Sequence, residues 1–305
     1  MPAAFTDYSS AIRWGAGQLR GLLAGIDRSN HKNLPAREAR WLLEAAAVSA
    51  GRDPLFLLED GRVTDRVRAV YRSLIARRAR GEPLAYVIGE ASFMGIDLVV
   101  TPDVLIPRPE TEQLVELVMK MIPPDAAGRL LDQGTGSGAI AIAVGLNRPR
   151  VRITAVDVSE SALDIAKRNV ARHGLSDRIE VVKADLYPDP ACGERKYDWI
   201  AANLPYVPDD AALPEDVRDW EPKLALRGGK TGRELIERSI QSAEEYLAAG
   251  SAGTSARLIY EIGEDQREEF EAWLGRCVSG CGKNLVWKFQ ADLTGRIRYL
   301  IGSMG

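Results

Sequence analysis

Asn203-Leu204-Pro205-Tyr206 is the group of residues in this 305-residue chain best suited to chemistry. It follows an apolar run over residues 197–202 that reads as a buried strand. An Asn-x-Pro-aromatic tetrad at a strand end offers two oxygen acceptors and a flat ring at one point. Such a set can grip a planar NH2 group, either an amide or an adenine amine. Chemistry on these nitrogens is usually methyl transfer, so the next requirement is a place for a methyl donor.

Residues 130–138, Leu-Leu-Asp-Gln-Gly-Thr-Gly-Ser-Gly, meet that requirement by running from a strand into a helix. Glycines let the backbone pass close to a ligand, and the helix N-terminus adds free N–H groups. Gly134, Thr135, Gly136, Ser137 and Gly138 are therefore candidate donor contacts. Asp157 ends the next strand, where a carboxylate can accept both hydroxyls of a ribose. Asp185 ends the third strand, placed to meet an adenine amine, and Leu186 beside it can cover the adenine face. Gly134, Gly136 and Ala139 also satisfy the dinucleotide pattern G-x-G-x-x-G/A. Two features favour S-adenosylmethionine over a nicotinamide cofactor. Asp132, just ahead of the glycines, can meet the donor's ammonium group, and the tetrad has no use in a dehydrogenase. Gly229-Lys230-Thr231 resembles the end of a phosphate-binding loop, but that motif needs a glycine where this chain has Leu224.

These residues need a frame, and the chain beyond Gly128 supplies one by alternating strand and helix. Strands are expected over 129–133, 151–157, 179–184, 197–203 and 258–262, with helices over 137–146, 160–172, 233–248 and 265–274. Two strands over 284–290 and 296–301 follow as a hairpin. His173 sits among the basic residues and glycine that end the second of these helices, so it reads as a cap. Upstream, residues 8–85 read as helical, with Pro35 opening one helix and apolar residues at helical spacing from Val67 to Ile75. Trp41 is expected in the core of that small bundle. Residues 86–89 and 96–100 read as β-like segments around Gly95, forming a hairpin or hinge. Proline at 102, 107 and 109 delays the next helix to about residues 111–121. The expected division is a helical domain at 1–84, a linker at 85–104 and an α/β catalytic domain at 105–305.

Composition narrows the class. Hydrophobic residues make up 46% and charged residues 27%, as in ordinary globular proteins. No apolar stretch approaches a membrane span, and the first residues lack the layout of a secretory signal. Cys192, Cys277 and Cys281 are odd in number and lack histidine partners at metal spacing, so reduced thiols, no metal and a cytoplasmic location are expected. The net charge of −3 is uneven: residues 1–85 carry 14 Lys/Arg against 9 Asp/Glu, and the remainder carries 26 against 34. A polycationic nucleic-acid binder would be more basic.

Several separate motifs, in order, resemble the PrmC/HemK family of release factor glutamine N5-methyltransferases. Residues 81–86 (Gly-Glu-Pro-Leu-Ala-Tyr) look like its inter-domain link, and residues 105–112 (Leu-Ile-Pro-Arg-Pro-Glu-Thr-Glu) are similar to its most distinctive motif. Glu221-Pro222, Ala225-Leu226 and Gly228-Gly229 resemble the segment after its tetrad. Tyr260-Glu261-Ile262-Gly263 and residues 292–296 resemble its C-terminal signatures. Two positions depart. The family usually has Asn-Pro-Pro-Tyr where this chain has Leu204, and Gln133 replaces a residue that is usually apolar.

The resemblance implies a class I S-adenosylmethionine-dependent methyltransferase fold: Rossmann-like, seven-stranded and mostly parallel, preceded by the helical domain as substrate-recognition module. It implies methylation of the glutamine in the Gly-Gly-Gln motif of class-1 peptide release factors, with S-adenosylhomocysteine as product. Asn203, Pro205 and Tyr206 are then the expected catalytic residues, the whole tetrad the substrate contact, and Asn203 a donor contact as well. The expected enzyme acts as a monomer and needs neither membrane nor nucleic acid. Two alternatives share the tetrad. One is an adenine N6-methyltransferase on nucleic acid, since Asn-Leu-Pro-Tyr is also typical of rRNA adenine dimethyltransferases. The other is a glutamine methyltransferase on a ribosomal protein.

Overall fold

The computed structural model describes residues 5–23, 33–54, 61–189, 196–248, 256–276 and 285–304. The three cysteines and His31 lie outside these residues. Two compact units divide the chain, one ending at Gly89 and the other starting at Glu90.

The first unit holds helices α1 (Tyr8–Leu23), α2 (Leu34–Ser49), α3 (Asp65–Ala79) and α4 (Leu84–Ile88). Each of the three long helices turns an apolar stripe inward, so that Leu19, Leu42, Leu43, Tyr71 and Ile75 are buried together. Thr64 caps α3 by accepting from the Val67 N–H, and Arg77 and Arg78 occupy the last turn, where the helix dipole favours cations. The buried Arg78–Glu38 ion pair (2.7 Å) joins α3 to α2.

Two expectations fail in this unit. Trp41 is 38% exposed, with the Arg37 guanidinium 5.1 Å from its ring centroid, so it is a surface residue and not core. Residues 86–88, read as β-like from their Tyr-Val-Ile composition, lie in helix α4. Tertiary contacts override strand propensity here. Tyr86 and Val87 are buried, the Arg77 guanidinium donates to the carbonyls of both, and Gly89 ends the turn in the left-handed region at φ 87°.

The second unit opens with an antiparallel hairpin of β1 (Glu90–Phe93) and β2 (Ile96–Val99), followed by α5 (Pro109–Met121). A doubly wound sheet then forms from β3 (Gly128–Gln133), β4 (Val151–Asp157), β5 (Ile179–Lys183), β6 (Trp199–Ala202), β7 (Ala256–Glu261), β8 (Leu285–Ala291) and β9 (Ile297–Met304). The strand order is β5-β4-β3-β6-β7-β9-β8. The pairs among β3 to β7 are parallel and β9 runs antiparallel to both neighbours, giving seven strands with one reversed. Helices α6 (Ala139–Asn147), α7 (Glu160–Arg172), α8 (Glu215–Trp220), α9 (Glu234–Tyr246) and α10 (Arg267–Arg276) complete the unit. Successive strand residues face opposite layers: Leu130 packs with Ile140 and Val151, and Leu131 with Ile200 and Ile240. Among the described residues no helix is long and apolar enough to cross a membrane.

The topology fixes where a ligand can sit. The chain moves outward from β3 through β4 to β5, then returns to place β6 on the other side of β3. Helices on either side of that reversal diverge, leaving a crevice at the carboxyl ends of β3 and β6. The glycine loop leaves β3 there, and the tetrad leaves β6 there.

Candidate active site

A cavity of about 410 Å³ occupies this crevice, within the size range of small-molecule sites. One wall is the glycine loop, with Gly134, Thr135, Gly136 and Ser137. Asp157, Asp185 and Leu186 come from the ends of β4 and β5. Asn203, Leu204 and Pro205 face them from the end of β6. Asp132, Gly138 and Tyr206 are the sequence-predicted residues that do not line it.

The loop is held by carboxylates on both sides. Asp132 is fully buried, and its Oδ2 accepts from the Thr135 hydroxyl (2.6 Å) and the Ala141 N–H (3.2 Å). Its Oδ1 has no partner, and burial pushes its carboxyl up to about 7. Asp157 is fixed by the Gly136 N–H on Oδ2 (3.0 Å) and the Ser159 N–H on Oδ1 (2.9 Å). Burial raises its pKa against these two bonds. Gly136 has φ 54°, and a Cβ there would meet only the Gly134 carbonyl, at 4.0 Å, so the space beside it is open to the cavity that it lines. An unpartnered carboxylate oxygen beneath the loop, a glycine cradle and a rigid carboxylate fit a donor carrying an ammonium group and a ribose.

The adenine side has polar supports of its own. Asp185 lines the cavity with its Oδ2 already taken by Arg238 (2.7 Å). Leu186 adopts a left-handed backbone (φ 68°), unusual for a residue with a side chain. It lies at the centre of a tight turn closed by the Tyr187 N–H on the Asp185 carbonyl (2.9 Å), and the buried Gln133 steadies that turn by donating its Nε2–H to the Leu186 carbonyl (2.9 Å). Gln133 Oε1 accepts from the Ser239 hydroxyl (2.6 Å), which in turn lies 2.8 Å from the Tyr260 hydroxyl, while Tyr187 donates to the Ser239 carbonyl (2.7 Å). A position that reads as a departure in sequence is thus the centre of a satisfied polar network. Gln133→Leu is expected to lower stability by roughly 1–3 kcal/mol through the stranded Ser239 and Leu186 groups. It should also weaken donor binding, since Leu186 is released. Thermal melting and donor titration check both. A variant that matches the native chain in each would make the network incidental.

The tetrad is anchored by residues that sequence spacing did not single out for this role. Asn203 Nδ2–H donates to Thr111 Oγ1 (2.8 Å) on α5, and the Thr111 hydroxyl donates to Glu261 Oε2 (2.9 Å) at the end of β7. Tyr206 donates to Glu261 Oε1 (3.2 Å), and Gln266 donates to the Tyr206 carbonyl (2.9 Å). The buried Glu221 pairs with Arg108 just ahead of α5. Among the described residues no hydrogen bond reaches Asn203 Oδ1 or the Pro205 carbonyl. Leu204 is buried, and a Cβ built on Gly134 would lie 3.0 Å from its Cδ2, so Leu204 packs tetrad against glycine loop. The phosphate-loop look-alike has no free amide nest: the Thr231 and Arg233 N–H groups both donate to the Glu234 carboxylate.

Comparison with known proteins agrees with this geometry. Residues 11–89 match the PrmC N-terminal domain and residues 110–217 the Methyltransferase small domain. A release factor glutamine methyltransferase of Koribacter versatilis is 36% identical over 86% of this chain and 89% of its own length. The one from Geobacter sulfurreducens is 39% identical over 76% and 78%. Among solved structures, the hMettl16 catalytic domain bound to a MAT2A 3'UTR hairpin superposes with TM-score 0.54 at 19% identity, covering 80% of this chain and 84% of that one. A methyltransferase from Pyrococcus furiosus gives 0.50 at 18%, covering 75% and 96%. At such identities the superpositions speak for a shared class I methyltransferase fold. The identities to curated relatives along most of both chains go further, and with the site assembled as it is, this chain belongs to the release factor glutamine methyltransferase family.

Proposed function

We infer that this chain transfers a methyl group from S-adenosylmethionine to the side-chain nitrogen of a release factor glutamine, the one in the Gly-Gly-Gln motif of class-1 factors. The observation that carries the reading is the pairing of two unclaimed acceptors, Asn203 Oδ1 and the Pro205 carbonyl, on residues that line the cavity opposite the glycine loop.

The donor supplies a methyl group already activated on a sulfonium. An amide nitrogen is a poor nucleophile because its lone pair is delocalised into the carbonyl. The chain's task is therefore alignment and polarisation. Asn203 Oδ1 and the Pro205 carbonyl each accept one N–H of the substrate amide. This holds the nitrogen toward the methyl group and favours the positive charge that grows on it. Asp157 and the glycine loop orient the donor, Leu186 covers its adenine, and Tyr206 supports the tetrad from behind. The nitrogen–carbon bond forms as the carbon–sulfur bond breaks. S-adenosylhomocysteine would leave as the neutral thioether, and the proton lost from the methylated amide nitrogen would pass to solvent water.

The enzyme acts in this reading as a monomer on a protein substrate without nucleic acid, which is supported by a cavity, tetrad and supporting network drawn from residues 102–266 of one chain. In this reading residues 1–84 recognise the partner, residues 85–104 link the two parts, and the enzyme works in the cytoplasm with its substrate. The test is methyl transfer from labelled donor to a purified class-1 release factor and to its Gly-Gly-Gln Gln→Ala variant. Label on the unmodified factor alone, mapped to that glutamine, is expected. Label on neither, from a preparation that binds donor, would defeat the assignment.

A further inference from the structure

We propose that Glu261, acting through Thr111, is the positioning residue that fixes which end of the Asn203 amide faces the substrate. The proposal rests on the reading of Asn203 as the acceptor of a substrate N–H. The two ends of an asparagine amide are nearly the same size, so shape alone does not choose between them. If the group turned over, it would present its own NH2 to the substrate NH2, and two donors would meet. The choice must come from what the other end touches.

That neighbour is Thr111, whose hydroxyl carries one proton. Glu261 Oε2 lies 2.9 Å away, and an ionised carboxylate only accepts. The Thr111 proton therefore goes to Glu261, and Thr111 has only lone pairs left for Asn203. Only Nδ2–H can meet them, at 2.8 Å, which leaves Oδ1 for the substrate. Tyr206 gives its proton to the second carboxylate oxygen, so both oxygens of Glu261 face donors. The chain of donation runs one way from Asn203 to Glu261 and is self-consistent only while Glu261 is ionised. A protonated Glu261 must donate from one oxygen. If it donates to Thr111, the Thr111 proton is free to turn toward Asn203, and the opposite amide direction is favoured.

Glu261 is 1% exposed and sits at the sheet end with no other role in the reaction. The charged and titratable groups around it are Glu110 on α5, Tyr206 on the tetrad, and Arg298 and Tyr299 on β9. Burial is the main influence and pushes its carboxyl up to about 7; Thr111, Tyr206 and Arg298 oppose this, and Glu110 adds to it. The ionised fraction therefore changes near neutrality, and turnover should rise with pH through that limb.

The experiment compares Thr111→Val, Thr111→Ser, Glu261→Gln and Asn203→Ala in single-turnover methylation of a release factor. Thr111→Val keeps shape and removes the hydroxyl, so the rate should fall roughly 10- to 100-fold, the scale of a misplaced catalytic group. Donor affinity should stay at the native level. Thr111→Ser returns the hydroxyl and should return most of the rate. Glu261→Gln can turn either amide end toward Thr111, so it should lose rate and flatten the pH limb near neutrality. Asp132, also raised to about 7, remains in that variant, so a limb that survives unchanged belongs to Asp132 and overturns the proposal. Equal losses in Thr111→Val and Thr111→Ser, or none in Thr111→Val, overturn it too. Asn203→Ala separates the two readings. Retained rate there removes the amide grip and this proposal with it. Lost rate there beside a native rate in Thr111→Val removes the positioning role alone.

Discussion

Asn203→Ala is expected to cut the rate of methyl transfer by roughly 10²- to 10³-fold, the usual cost of deleting one preorganised polar contact to developing charge. Donor affinity should change little. The donor's wall consists mainly of the glycine loop, Asp157 and Leu186, and none of these takes a hydrogen bond from the Asn203 side chain. The loss should appear in the rate of a saturated enzyme more than in the apparent affinity for release factor, because the Oδ1 contact strengthens only as charge grows on the nitrogen. Folding should survive, since Thr111 loses a donor but keeps its bond to Glu261. Single-turnover rates with labelled donor, paired with calorimetric donor binding, read the two effects apart. A near-native rate would mean that the amide is not gripped by this residue.

How much of this site could be read from sequence depended on whether its parts lie next to one another in the chain. The glycine loop, Asp157 and the tetrad each sit at the end of an apolar strand, and the seven-stranded sheet with one reversed strand follows the expected pattern. β4 and α7 span the expected residues, since Asp157 and the Ser159 cap mark their boundaries chemically. The supports of the site were not legible because they are long-range. Thr111 meets Glu261 across 150 positions, and Gln133 meets Ser239 across 106. Thr111, Glu261 and Gln133 stand out in sequence as motif positions or departures, but their pairing appears only when the fold brings α5 to β7 and Ser239 of α9 to the end of β3. Local propensity also misled where capping and burial decided the outcome, as in the helical turn at residues 84–88. Asp132 shows the same limit: spacing put it beside the glycines, but it was the fold that set it beneath them, bonded to Thr135.

The second large effect is expected at Gly228, which packs against the tetrad from 23 positions further along the chain. A Cβ there would lie 2.2 Å from the Pro205 carbonyl oxygen and 2.7 Å from that of Gly232. Both obstacles are backbone, so neither can swing aside as a side-chain tip would. The segment is also tied on both sides, with the Val207 N–H donating to the Leu226 carbonyl (3.0 Å) and the Gly228 N–H donating to that of Val207 (2.9 Å). Gly228→Ala must therefore push the Pro205 carbonyl, and with it the second acceptor of the substrate amide. A displacement of about 1 Å in a positioning group can cost about 10²-fold in rate, and overpacking of this kind costs roughly 1–3 kcal/mol in stability. Lys230→Ala, two residues on and exposed, is the matched control and should leave both quantities unchanged. Melting temperature and single-turnover rate should fall together in Gly228→Ala while donor affinity holds, since the glycine loop hangs from β3 and not from this segment. A destabilised Gly228→Ala enzyme with native turnover would show that the Pro205 carbonyl is not an acceptor, leaving Asn203 to hold the amide alone.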